Sequence, residues 1–174
     1  ESRRFIRESQ NRIGAMAMVH EKLYQSENFA FVNLGDYVES LTQYLFSTFV
    51  KDRESIGLTV AVEDVHLAID EAIPCGLIVN ELVSNALKHA FPKGVEGEIA
   101  VRCRSGKDGC VTVTVSDTGI GLPAGFAIEN TESLGLQLVT MLVKQLRGAM
   151  RIVTEKGGTT VIISFPGGRS SSGR

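Results

Sequence analysis

One stretch, Asn80–Phe91, constrains the fold of this chain more than any other feature. Its apolar residues recur at helical spacing, which predicts an amphipathic helix packed on a core. These apolar residues are Leu82, Val83, Ala86, Leu87 and Ala90. Its polar residues lie three or four positions apart and therefore share the other face. They are Glu81, Asn85, Lys88 and His89. A carboxylate, an amide, an ammonium and an imidazole on one face indicate a surface for metal-bound phosphate.

A second motif, Asp117–Leu122, follows further along the chain. The alternation of valine with threonine and serine over 111–116 predicts a strand that delivers Asp117 into a loop. Gly119 and Gly121 allow the backbone to approach a flat ligand closely. The carboxylate of Asp117 can accept a hydrogen bond from an exocyclic amine such as that of adenine. The two motifs in this order predict a nucleotide site.

The two motifs resemble the N box and the G1 box of sensor histidine kinases. The ATP-binding domain of those kinases belongs to a wider ATPase group with Hsp90, DNA gyrase B and MutL. Ser133–Val139 resembles the G2 box of the same family. Met18–Tyr24 resembles one subgroup, the bacterial kinases with a HisKA_2 dimerisation and phosphoacceptor domain, which are relatives of the HWE kinases. The resemblance extends from about Arg7 to Pro166.

The resemblance implies a role for each matching residue. Asn85 would bind Mg²⁺ through its amide oxygen, with phosphate oxygens and water completing the coordination shell. Glu81, as the catalytic residue, would orient the acceptor imidazole, touch metal-bound water or accept a proton. Asp117 would recognise the amino group of adenine. The other implied nucleotide contacts are Asn80, Lys88, His89, Gly119, Gly121, Leu122, Ser133, Leu134, Gly135, Leu136 and Thr159.

Several of these residues have an ordinary structural alternative. Lys88 and His89 could form salt bridges on a solvated face, Asn80 could stabilise the helix, and Thr159 could be a plain strand residue. Ser133 stands where the family usually has glycine, so only Gly135 is free to approach phosphate closely. Ser133 can instead cap the helix that begins there, whose exposed amides are a ready phosphate site.

The periodicity predicts helices and strands that segregate into layers. Helices are expected over 2–25, 34–50, 71–91 and 134–146, and strands over 58–62, 65–69, 98–104, 110–116, 150–154 and 159–165. This order predicts an α+β fold, a two-layer α/β sandwich. The resemblance implies the Bergerat ATP-binding fold, with a mixed sheet, three helices on one face and a lid over 122–133. The expected units are a C-terminal dimerisation-type helix (1–28), the ATP-binding domain (29–166) and a disordered tail (167–174).

Composition excludes some classes of partner. The formal net charge of −2 gives no reason to expect a nucleic-acid surface. No apolar run approaches the ~20 residues of a membrane helix, and no signal peptide opens the chain, so we expect a cytoplasmic protein. Cys75, Cys103 and Cys110 form no CxxC pair. They are expected to be reduced thiols in core or strand positions.

His20 is a tempting phosphoacceptor, but its context argues for a structural role. The acceptor of the family lies in a His-Arg-x-x-Asn-Asn-like string, and this chain contains none. The resemblance implies the Mg²⁺-ATP-binding domain of a kinase that phosphorylates a histidine and then an aspartate of a response regulator, with a possible homodimer through the first helix. This chain alone is not expected to autophosphorylate. The alternatives are an anti-sigma-type serine kinase or switch protein on the same fold, and a non-catalytic ATP-binding interaction module.

Overall fold

A computed structural model describes residues 9–10, 12–15, 17–18, 21, 31–50, 55–92, 95–106, 108–123, 126, 128, 133–155 and 157–167. The described residues from 9 to 21 are all helical, and we call them the N-terminal helical segment. His20, the tail beyond Gly167, and parts of the first predicted helix and of the predicted lid lie outside the described residues. The predictions made for those positions therefore stay predictions.

The helices after this segment match the predicted ones closely. They are α1 (Leu34–Phe49), α2 (Ile69–His89) and α3 (Leu134–Gln145). The strands are β1 (Phe31–Asn33), β2 (Ile56–Val62), β3 (His66–Ala68), β4 (Gly97–Ser105), β5 (Cys110–Asp117), β6 (Ala149–Glu155) and β7 (Gly158–Pro166). The sequence did not predict β1, which is too short to display an alternating pattern and pairs antiparallel with β3 in a small separate sheet.

The larger sheet is mixed, as predicted. Its strand order is β2-β4-β5-β7-β6, with β2 parallel to β4 and the other pairs antiparallel. The register of β5 with β7 places Asp117 opposite Thr159. Two residues that are far apart in sequence therefore meet at one end of the sheet.

The core lies between this sheet and the helices. Alternate residues of the central strands are buried against α1, α2 and α3: Ile99, Val101, Cys103, Val111, Val113, Val115, Val161, Ile163 and Phe165. The intervening positions of β4 and β5 include the exposed Arg102 and Arg104 and a row of threonines. Because the helices cover one face only, the architecture is the predicted two-layer α/β sandwich.

The described cysteines are free thiols, and two of them belong to the core. Burial raises the pKa of Cys103 to about 12. The pKa of Cys75 is raised well above its ordinary value, mainly by burial and further by the neighbouring Cys103 and Glu71. Protonated thiols at neutral pH are poor nucleophiles, so these two residues act as packing groups.

The N-terminal helical segment packs on the helical layer through Tyr37 of α1. The hydroxyl of Tyr37 donates a hydrogen bond to the carbonyl oxygen of Ala15 over 3.1 Å. The ring of Tyr37 lies directly over Gly76 of α2, where a side chain would collide with it. Ala15 and Tyr37 are fully buried, so the segment is held against α1 and α2 at a fixed point.

Candidate nucleotide site

A cavity of about 590 Å³ lies between α2, the start of α3 and the ends of β5, β6 and β7. Eight of the predicted site residues line it: Asn85 and His89 from α2, Asp117, Gly121 and Leu122 from β5 and the segment after it, and Ser133, Leu136 and Thr159 from α3 and β7. The structure thus brings residues from all three sequence motifs to one cavity.

Asp117 is fixed at the wall of the cavity by the backbone around it. Its Oδ1 accepts a hydrogen bond from the backbone N–H of Gly119 over 2.9 Å. Burial raises the pKa of Asp117, and the backbone hydrogen bonds from Gly119 and Thr159 oppose that shift. Gly121 has a φ of 74°, a left-handed conformation that favours glycine. The loop after β5 therefore presents an oriented, half-buried carboxylate to the cavity.

Removing the negative charge of Asp117 is expected to stabilise the nucleotide-free protein against unfolding. Since folding raises the pKa of Asp117, its contribution to stability is greatest when it is protonated and is lost as the pH rises through the folded pKa. Asp117→Asn should therefore raise the unfolding midpoint at pH 7. Thermal unfolding of both proteins from pH 7 down to pH 4 checks this. A difference that grows on acidification would contradict the assignment.

The polar face predicted for α2 is divided in the structure. Successive helical residues are about 100° apart around the axis, so Asn85 and His89 adjoin Leu82 and Ala86, and these four residues line the cavity. Glu81 and Lys88 lie just beyond the edge of this arc that Asn85 forms, and neither lines the cavity. The Nζ atom of Lys88 lies 5.7 Å from the centre of the Phe49 ring of α1.

Other predicted nucleotide residues also lie outside the cavity wall. Asn80 is 1% exposed, and its amide nitrogen donates to Oε1 of Glu81 over 3.2 Å. Gly119 packs on the backbone of Ala90, where a side chain would collide with the carbonyl oxygen. Leu134 is half-exposed, and Gly135 faces the Glu81 carboxylate. The nucleotide contacts predicted for these residues and for Lys88 stay predictions.

Sequence reasoning missed most of the apolar wall of the cavity. That wall includes Val115, Ile120, Pro123, Phe126, Ile152 and Val161. Val115, Ile152 and Val161 look like ordinary strand residues in the sequence. The signal in the sequence was Ile120, a large apolar residue between two glycines. In the structure its side chain is 64% exposed. Flat apolar walls with a few oriented polar groups are typical of pockets for small aromatic ligands.

The residues present fit a magnesium ion that is shared with a nucleotide. Within the described part of the chain, no group of three or more histidine, cysteine, aspartate or glutamate residues could form a metal cage. Asn85 offers a neutral oxygen at the cavity wall. Mg²⁺ commonly uses one or two protein oxygens and takes the rest of its shell from phosphates and water. Asn85 would hold the ion in that way.

Two family models match parts of this chain. Residues 70–169 match the family model described as "Histidine kinase-, DNA gyrase B-, and HSP90-like ATPase". Residues 1–49 match the HisKA_2 histidine kinase model. The chain therefore belongs to the family of histidine kinase-, DNA gyrase B- and HSP90-like ATPases. The HisKA_2 match extends through α1, and the predicted domain boundary at residue 28 stays a prediction.

Named relatives are sensor histidine kinases. Sensor histidine kinase PdtaS of Mycobacterium tuberculosis is 35% identical over 178 residues, a match that covers 97% of this chain and 34% of the relative. PdtaS of Mycolicibacterium smegmatis is 33% identical over 181 residues, covering 99% of this chain and 35% of the relative. This chain thus spans about a third of the length of these relatives.

Solved structures confirm the fold. The histidine kinase domain of the Erythrobacter litoralis EL346 blue-light activated histidine kinase superposes with a TM-score of 0.83. Its sequence identity is 26%, and the match covers 91% of this chain and 74% of that one. The mycobacterial sensor histidine kinase MprB, at 23% identity, has the same fold with a TM-score of 0.61, over 79% of this chain and 97% of that one. Among the described residues, no helix is long and apolar enough to cross a membrane.

Proposed function

We propose that this chain binds Mg²⁺-ATP in the cavity and is the catalytic domain of a sensor histidine kinase. In this role it donates the γ-phosphoryl group of ATP to a histidine, from which the group passes to an aspartate of a response regulator. The observation that carries the proposal is the meeting of Asn85 and Asp117 on the wall of one cavity. Asn85 is suited to the metal and the phosphates, and Asp117 is suited to the adenine ring.

The cavity divides the work of binding between its two sides. The carboxylate of Asp117 accepts the hydrogen bond of the adenine amino group, and the apolar wall formed by Ile120, Phe126 and Ile152 takes the ring. At the other side, Ser133 stands at the beginning of α3. Backbone N–H groups in the first turn of a helix, together with its dipole, favour phosphate. Bound Mg²⁺ supplies charge neutralisation on the phosphates.

Glu81 is the candidate catalytic residue for phosphoryl transfer. Such transfer depends mainly on positioning and charge stabilisation, because the protein need not form a covalent bond with the transferred group. Glu81 lies one helical turn before Asn85 but outside the cavity wall. A carboxylate there suits contact with the incoming nucleophile, which arrives from outside the nucleotide cavity.

Two observations favour a histidine kinase over the alternatives on the same fold. The HisKA_2 match over residues 1–49 supports a dimerisation-type segment, for which a serine kinase or switch protein has no need. The named relatives that cover nearly the whole chain are sensor histidine kinases. A response-regulator receiver domain and a second copy of the chain, bound through the N-terminal helix, are therefore the proposed partners.

Metal removal tests the binding part of this proposal. Asn85→Ala is expected to weaken Mg²⁺-ATP binding by roughly tenfold and metal-free ATP binding far less, because the amide oxygen is lost as a ligand. Calorimetric titrations with Mg²⁺-ATP, and with ATP in the presence of EDTA, make the comparison. Gln43→Ala, on the exposed face of α1, serves as the control. Equal affinities of Asn85→Ala and wild type for Mg²⁺-ATP would contradict the metal assignment.

A further inference from the structure

An ion pair connects the N-terminal helical segment to the candidate catalytic carboxylate. The Nε atom of Arg12 donates to Oε1 of Glu81 over 2.7 Å, and its Nη2 atom donates to Oε2 over 3.1 Å. The two side chains are 18% and 8% exposed. A two-point contact between guanidinium and carboxylate fixes the orientation of both groups, and at this burial solvent weakens it little.

The fold holds Arg12 in place for this contact. Ala15, three residues after Arg12, receives the buried hydrogen bond of Tyr37. The Tyr37 ring in turn packs on Gly76, which lies in the same helix as Glu81. Through Tyr37, the segment that carries Arg12 is thus held against α2, the helix that carries Glu81. Its position determines whether the guanidinium reaches Glu81.

The contacts of Glu81 leave it little freedom and little spare capacity as an acceptor. Oε1 accepts from Arg12 and from the side-chain amide of Asn80, and Oε2 accepts from Arg12. An ionised carboxylate offers about four acceptor sites, so among the described residues one site, on Oε2, has no donor. Gly135 of α3 lies beside that oxygen, and a Cβ atom added there would be 2.6 Å from it. The absence of a side chain at Gly135 lets the backbone of α3 approach Oε2 closely.

We propose that Arg12 is a positioning residue for phosphoryl transfer, an inference that rests on the proposed histidine kinase function. Arg12 and Asn80 together fix Glu81 so that its remaining acceptor site on Oε2 holds the N–H of the acceptor imidazole. The other ring nitrogen, which carries the lone pair, then bonds to the γ-phosphorus while the bond from that phosphorus to the bridging oxygen of ADP breaks. The ring N–H proton stays hydrogen-bonded to Glu81.

This role makes the position of the N-terminal helical segment part of the catalytic geometry. A shift of that segment which withdraws Arg12 leaves Glu81 with Asn80 as its one donor among the described residues and no longer restricts its rotamer. Transfer falls although the nucleotide cavity is unchanged, because Arg12 does not line it. The predicted signature is a loss in kcat without a loss in ATP affinity.

The test is histidine phosphorylation by the full-length protein with labelled Mg²⁺-ATP. Arg12→Ala should lower kcat by about tenfold or more through misorientation of Glu81, with KM and the Kd for ATP unchanged. Arg12→Lys should recover part of the rate, because it keeps the charge but not the two-point fork. Arg102→Ala, on the exposed side of β4, is the matched control and should equal wild type. Unchanged ATP binding also shows that each variant folds.

The dependence on Glu81 is tested in a second background. In Glu81→Gln, adding Arg12→Ala should change the residual rate by less than about twofold, since coupled residues are not additive. Equal losses in both backgrounds, a loss of ATP affinity, or a faster rate in Arg12→Ala would each overturn the inference. A wild-type protein that binds no ATP would overturn the proposed function as well. Wild-type activity that is indifferent to Arg12 would overturn the inference alone.

Discussion

Asp117→Asn is expected to weaken ATP binding by roughly ten- to a hundredfold, which corresponds to about 1.4–2.7 kcal/mol, as expected for a hydrogen bond to a charged group. Asparagine keeps the size of the side chain, but its amide either donates where adenine also donates or accepts less strongly. Backbone N–H groups of Gly119 and Thr159 hold the carboxylate in a fixed orientation, so the substitution acts at a defined point of the cavity wall. Isothermal titration calorimetry with Mg²⁺-ATP measures the effect.

The control for this variant is Asp70→Asn, which makes the same chemical change at an exposed position in the first turn of α2. It should bind ATP as wild type does. If Asp117→Asn and Asp70→Asn have the same affinity, the carboxylate of Asp117 does not recognise the base and the cavity assignment fails.

Gly76→Ala is expected to cost about 1–3 kcal/mol of unfolding free energy or more, as overpacking of a filled core does. The added methyl group would collide with the ring and hydroxyl of Tyr37, which is fully buried and cannot move outward. Denaturant-induced unfolding measures the loss. Gly57→Ala is the matched control, because a Cβ atom there would meet its nearest neighbour at an ordinary 3.6 Å. Equal stability of the two variants would contradict the described packing of α2 on α1.

The sequence predicted the elements whose pattern is local. The apolar spacing of 82–90 gave α2 to within two residues at each end, and the valine alternation before Asp117 gave β5. Both patterns arise because one face of the element is buried, and burial is encoded at fixed spacing. The resemblance of the two motifs to the N box and G1 box implied that Asn85, His89 and Asp117 share one site, and the structure places all three at one cavity.

The features that escaped prediction depend on contacts between distant parts of the chain. Arg12 and Glu81 are 69 positions apart, and neither the charge pattern nor the motifs indicated that they would pair. The apolar wall formed by Ile152 and Val161 depends on the strand order. The division of the polar face of α2 depends on which neighbour covers each side. Glu81 pairs with Arg12, and Lys88 lies over the ring of Phe49. Neither residue lines the cavity.

Glycines illustrate the same limit. The motif identified Gly119, Gly121 and Gly135 as positions for close approach to a ligand. Gly121 lines the cavity with a left-handed backbone. Gly119 and Gly135 face the Ala90 backbone and the Glu81 carboxylate. A motif indicates that space is required at a residue but not which group takes the space, because that depends on the packing of α2 against β5 and α3.

The chemical nature of the phosphorylated residue distinguishes a histidine kinase from a serine kinase on the same fold. The full-length protein is incubated with γ-labelled Mg²⁺-ATP, and the protein-bound label is then exposed to acid and to alkali. A histidine kinase forms a phosphoramidate, so the account predicts a label that acid removes and alkali leaves in place, and one that is reduced in Glu81→Gln. A label that survives acid, as phosphoserine does, or a protein that binds Mg²⁺-ATP without acquiring any label, would contradict it.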